Sequence, residues 1–118
     1  MYSIVYTNQF KKSLKRCVKR GLDVSLLTAA VTILQEKGSL PASYSPHRLK
    51  GQYAGCWECH LEPDWLLVWR QNDTILELVF VDTGTHSDLF IIVSLNGVLK
   101  GALSVYSHYK KTTGCYSG

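Results

Sequence analysis

Residues 55–70 read GCWECHLEPDWLLVWR, and two incompatible structures can be drawn from them. Cys56, Cys59 and His60 spell C-x-x-C-H, the haem-attachment signature. The same letters also describe a hairpin: two β-rich runs joined by Glu62-Pro63-Asp64-Trp65, with proline at the second turn position, where its fixed φ is pre-set. The rest of the chain favours the hairpin. Covalent haem attachment normally follows export, and residues 1–20 lack the apolar core and small-residue cleavage site of a signal peptide. The only methionine is Met1, so a distal iron ligand is also missing. A thiol or haem redox protein would rest on Cys56 and Cys59 alone.

With the hairpin accepted, the neighbouring segments fall into place. Gln52–Leu61, Trp65–Arg70 and Ile75–Val81 are apolar and rich in β-formers, and the second joint, Gln71-Asn72-Asp73-Thr74, is a turn-rich tetrapeptide. They predict an antiparallel meander. Upstream, SLPASYSPHRLKG (39–51) carries two prolines among small polar residues and reads as an ordered loop. VSLLTAAVTILQEK (24–37) is a helix with Leu26, Leu27, Ala30, Val31, Ile33 and Leu34 on a broad apolar face, capped by Asp23 or Ser25 and stopped by Gly38. Tyr2–Thr7 alternates as a first strand, and a further helix spans about 8–20. The fold class expected is α+β: a strand, two helices, then a meander forming one sheet packed on the helices.

The first helix separates charge sharply. Residues 1–22 contain no Asp or Glu, while Lys11, Lys12, Lys15, Arg16, Lys19 and Arg20 crowd into ten positions. Phe10, Leu14, Cys17 and Val18 form the apolar stripe opposite them. Like charges at i, i+4 lower helix stability by a few tenths of a kcal/mol per pair, so a face that keeps them suits a polyanion such as a phosphate backbone. Net charge is +4, yet outside this helix seven basic side chains meet nine acidic ones, which makes the charge a patch.

At 118 residues, 46% hydrophobic and 19% charged, the chain is one domain able to bury a core without staples. No apolar run reaches the length of about 18 that crosses a bilayer, so a cytoplasmic protein with no membrane partner is expected. In that compartment Cys17, Cys56, Cys59 and Cys115 stay reduced and act as small apolar side chains. Trp65 and Trp69 share strand parity and are expected in the core, whereas Trp57 is a candidate for base stacking.

The histidines carry the chemistry. His47 lies in the proline-rich loop, His60 just before the hairpin turn, and His86 in TGTHSDLF (83–90), with Asp64 across the turn from His60. RNA cleavage through the 2′-hydroxyl needs a base for that proton, an acid for the departing 5′-oxygen, and cations for the phosphoryl charge. Imidazole, with a pKa near 6.5, serves either proton role at neutral pH. His47, His60, Asp64 and His86 are also a zinc-competent donor set, but ligands scattered over about 40 residues lack the spacing of a zinc motif. No cofactor is expected.

LPASYSPHRLKG (40–51), HLEPDWLLVW (60–69) and TGTHSDLF resemble, in register, the YafQ branch of the RelE/ParE toxin superfamily, the ribosome-dependent mRNA interferases of type II toxin-antitoxin pairs. The resemblance covers residues 1–90 as a toxin domain and leaves 91–118 as a C-terminal extension of no assigned role. It implies the RelE-like fold, metal-independent cleavage of mRNA in the ribosomal A site to a 2′,3′-cyclic phosphate, and a site of His47, His60, Asp64, His86 and Phe90. His86 is then the general acid, His47 or Asp64 the base, His60 an orienting or phosphate-stabilising group, and Phe90 a support for a base or for His86. Lys11, Lys12, Lys15, Arg16, Arg48, Lys50 and Arg70 are candidates for RNA contacts on charge. Implied partners are a cognate antitoxin, the ribosome with its RNA, and mRNA, with DNA reached only through the antitoxin. The alternative is a catalytically silenced RNA-binding module whose tail covers the site.

Overall fold

The structure is a computed structural model describing residues 1–89; Phe90 and the extension 91–118 lie outside the described residues. The element order is β1 (Ser3–Tyr6), α1 (Asn8–Lys19), α2 (Val24–Lys37), β2 (His47–Arg48), β3 (Cys56–Glu62), β4 (Trp65–Asn72) and β5 (Glu77–Gly84), with 3-10 turns at Ala42–Tyr44 and Gly51–Tyr53. Thr7 starts α1 by accepting the Phe10 N–H at 3.0 Å, and its hydroxyl also lies against the Phe80 and Val81 carbonyls, so one residue caps the helix and ties it to the sheet. Asp23 rather than Ser25 caps α2, accepting the Ser25 N–H at 2.9 Å, and Gly38 closes it with φ 72°.

One five-stranded sheet runs β1-β5-β4-β3-β2. The meander β3-β4-β5 is antiparallel as expected, and β1 adds to its far edge parallel to β5, with Val5 opposite Val79. The core joins Phe10 and Cys17 of α1 and Leu27, Ala30, Val31 and Leu34 of α2 to Cys59, Trp65, Leu67, Trp69, Leu78 and Phe80 of the sheet. Alternation on β4 therefore puts both tryptophans under the helices. Their polar ends are satisfied: Trp65 Nε1 donates to Thr83 Oγ1 at 2.8 Å and Trp69 Nε1 to Gln71 Oε1 at 3.0 Å. Trp57 packs beside this core, stacked on Trp69.

Four local expectations change. Val18 is 50% exposed, and Ser13 joins Phe10 and Cys17 on the buried face, its hydroxyl donating to buried Asp82 at 2.5 Å. The 39–51 segment is not wholly loop, because His47 and Arg48 pair with Glu58 and Trp57 as a short edge strand. β3 begins at Cys56, since Gly51–Tyr53 is a 3-10 turn. The last turn is longer than Gln71–Thr74: Asn72 Oδ1 accepts from Thr74 and Ile75 N–H, Leu76 takes φ 53°, and β5 starts only at Glu77, leaving Ile75 and Leu76 exposed. Cys17, Cys56 and Cys59 are free and buried, the small apolar role expected of them. Among the described residues no helix is long and apolar enough to cross a membrane.

Candidate active site

Three separate segments deliver three imidazoles to one place. His47 arrives on the edge strand β2, His60 near the end of β3, and His86 in the helical turn 86–89 after β5. The His47 and His60 ring centres are 6.4 Å apart, and those of His60 and His86 5.7 Å, which makes His60 the middle of a row. Neighbouring rings at this spacing can reach a common phosphate with ordinary hydrogen bonds.

Each imidazole is fixed differently. His86 is held twice by Asp64: its backbone N–H donates to Asp64 Oδ1 at 2.9 Å and its Nδ1 lies 2.5 Å from the same oxygen. A carboxylate at Nδ1 sets the ring's tautomer and orientation, so Nε2 is the nitrogen through which His86 would exchange a proton with substrate. The hairpin brings Asp64 near enough for its charge to act on His60, and its side chain bonds His86. His60 Nδ1 faces the Pro63 carbonyl at 3.4 Å. Burial, assisted by the neighbouring His86 and His47, lowers the His60 pKa, which keeps this ring neutral at neutral pH.

His47 leads to a residue that sequence reasoning misses. Its Nδ1 lies 2.9 Å from the Ser45 carbonyl, and its Nε2 is 3.2 Å from Oε1 of Glu58, a carboxyl only 1% exposed. Register explains the pair, since His47 stands directly opposite Glu58. Burial pushes the Glu58 carboxyl up to about 7 against the opposing pull of His47. Strand parity holds the clue: Glu58 and His60 are two apart on β3 and project from the same face.

The expected basic residues divide into two groups. Lys11, Lys12, Lys15, Lys50 and Arg70 are exposed, and Arg48 is exposed with its guanidinium carbon 5.2 Å from the centre of the Trp57 ring. Arg16 is turned partly inward, with buried Nε and Nη2 and Nε 3.8 Å from Asp88. Among the described residues no group of three or more His, Cys, Asp or Glu is arranged to hold a metal ion. Phe90, the remaining expected site residue, lies outside the described residues.

A five-stranded sheet with two helices packed on it and imidazoles gathered at its rim defines an α+β toxin of the RelE-like fold. A family model described as bacterial toxin of type II toxin-antitoxin system, YafQ, matches residues 2–91, and the chain belongs to that family. The mRNA interferase toxin YafQ of Escherichia coli strain K12 is 39% identical over 88 residues, covering 74% of this chain and 94% of that protein. The toxin in the crystal structure of the E. coli DinJ-YafQ complex superposes with a TM-score of 0.70 at 37% identity, covering 76% of this chain and 99% of that one. A metal-bound toxin from Helicobacter pylori gives a TM-score of 0.69 at 39% identity, covering 75% of this chain and 99% of that one.

Proposed function

We propose that this chain is an mRNA interferase toxin that cuts mRNA in the ribosomal A site by metal-independent attack of the 2′-hydroxyl, leaving a 2′,3′-cyclic phosphate and a 5′-hydroxyl. The observation carrying this reading is the row His47, His60 and His86, gathered from three segments on a fold that also displays Lys11, Lys12 and Lys15. The interferase activity of the E. coli relative supports the substrate class, and the DinJ-YafQ complex supports a cognate antitoxin as partner.

The geometry favours a division of labour among the rings. His86, oriented by Asp64, protonates the departing 5′-oxygen. His60, kept neutral by its surroundings, removes the 2′-hydroxyl proton. His47, held at Nδ1 by the Ser45 carbonyl and at Nε2 by the Glu58 carboxyl, stands at the end of the row and helps to position the phosphate. This shifts the base from His47 or Asp64 to His60. By family likeness, Phe90 holds a base or positions His86.

Ribosomes programmed with a defined message test the proposal. Cleavage with a cyclic phosphate end by protein treated with EDTA and desalted before it meets the ribosomes, and none of naked mRNA, is the expected result. Intact message despite ribosome binding would instead identify a silenced RNA-binding module, and loss of cleavage by the EDTA-treated, desalted protein, restored by adding a metal back, would install a metal in the reaction. Exchanging Lys11, Lys12 and Lys15 for alanine is expected to raise KM for ribosomes with kcat unchanged. It should also flatten the dependence of log affinity on log salt by about 2, near 0.7 for each phosphate that is no longer neutralised.

A further inference from the structure

Asp88, two residues beyond His86, takes no part in the chemistry above, yet it is held by bonds from three sides. Arg20 of α1 grips it with two hydrogen bonds, Nη1 to Oδ2 at 2.6 Å and Nη2 to Oδ1 at 3.1 Å. Arg16, one turn earlier on the same helix, places Nε 3.8 Å from Oδ2. The side chain also closes its own turn, because Oδ2 accepts the Thr85 N–H at 3.0 Å while Thr85 Oγ1 accepts the Asp88 N–H at 3.1 Å. That reciprocal pair is a capping box, Thr85 as the cap and Asp88 three residues on, and it encloses His86 as the first residue of the turn. Gly84 makes the close approach feasible: a β-carbon there would sit 2.8 Å from Asp88 Oδ2 and 2.9 Å from its Cβ.

We infer that Asp88, clamped by Arg20, is a positioning residue for His86, fixing the turn so that the imidazole meets Asp64 and the scissile phosphate. The inference rests on the nuclease reading. Asp64 is 66% exposed along its side chain and His86 binds it from a single turn; by itself that contact leaves the turn free to pivot. The Arg20 fork removes the pivot by fastening the turn to a helix that is itself packed into the core through Phe10 and Cys17. Burial raises the Asp88 pKa, but the bonds from Arg20 and Thr85 and the charge of Arg16 outweigh it, so the carboxyl stays ionised and the clamp persists across the working pH range. Arg20 is thereby committed to the site's architecture and not to ribosomal RNA.

The test compares wild type, Arg20→Lys, Arg20→Gln and Asp88→Asn on programmed ribosomes, and follows the His86 Nδ1 proton by NMR in the free protein. Arg20→Gln and Asp88→Asn should lower kcat about 10- to 100-fold, the scale of a displaced catalytic group, with KM for ribosomes held by the lysines of α1. The His86 Nδ1 proton, sharp in wild type, should broaden or vanish in both, and Arg20→Lys should recover part of each effect. Unchanged kcat, or an unchanged His86 resonance, overturns the inference. So would a parallel fall in kcat and rise in KM accompanied by a lower Tm, which is what a purely structural bridge gives. If wild type cuts nothing, the nuclease reading fails, and the NMR comparison still decides whether Asp88 sets the His86 ring.

Discussion

His86→Ala should lower kcat for mRNA cleavage on programmed ribosomes by about 100-fold or more, the usual worth of a positioned general acid. The residue is held by two contacts to one carboxylate oxygen, and alanine keeps only the backbone one. On the proposed reading ribosome binding rests on the basic face of α1 and should survive, so the loss belongs in kcat. Asp64→Asn should share the defect in milder form, because the amide oxygen can still meet the backbone N–H but holds the ring less firmly at Nδ1. The pH profile carries a second signature. The His60 pKa lies below its ordinary 6.5, so the acidic limb of kcat/KM should fall away only below that pH, and His60→Ala should abolish the limb along with most of the rate. Equal cleavage by wild type and His86→Ala would remove His86 from the reaction.

Glu58→Gln should make the protein more stable at pH 8, by an amount on the order of a few kcal/mol. The carboxyl is buried and its folded pKa, about 7, lies above the unfolded value of 4.5. A carboxyl of that kind prefers to be protonated in the fold. Below 4.5 both states hold the proton and there is no penalty; as pH rises toward 7 the unfolded chain ionises first, and folding loses stability until the folded group ionises as well. Tm of wild type should therefore drop relative to the variant between pH 4.5 and 7, with the gap constant above. Coincident Tm curves across that range would show that Glu58 is not held in a desolvated site. A buried carboxyl that weakens the fold is the kind of group found at functional sites, and its contact with His47 joins it to the row of imidazoles.

The same contact shows where reading the letters stops. His47, His60 and His86 can be singled out from residue chemistry and family likeness, but in the sequence Glu58 is one more charge between Trp57 and Cys59. Only the β2–β3 register, with His47 opposite Glu58, makes it a partner. Asp88 is equally inconspicuous, although Thr85 and Asp88 stand at capping-box spacing. Val18 leaves its expected place for a related reason. Four apolar letters mark a stripe on α1, of which Phe10 and Cys17 are buried, but Ser13, with Asp82 beneath it, takes the buried place expected of Val18. Asp82 in turn is raised to about 6, chiefly by burial, against the pull of Ser13, the Thr83 N–H and Arg16.

What the letters determined alone are the features encoded within a few residues of each other. Both helices with their stops at Gly21 and Gly38, the Pro63-Asp64 hairpin, the alternation that buries Trp65 and Trp69, and the one-sided charge of α1 all follow from periodicity, turn chemistry and charge spacing. What tertiary structure alone decided are the meetings of distant segments: β1 lying parallel to β5, the Glu58–His47 pair, the Arg20 fork on Asp88, and the convergence of three imidazoles at one rim. Local preferences act through bonds a few residues apart and leave their period in the chain, whereas pairing across 22 or 68 positions is chosen by which buried surfaces and desolvated polar groups satisfy one another once the core has closed.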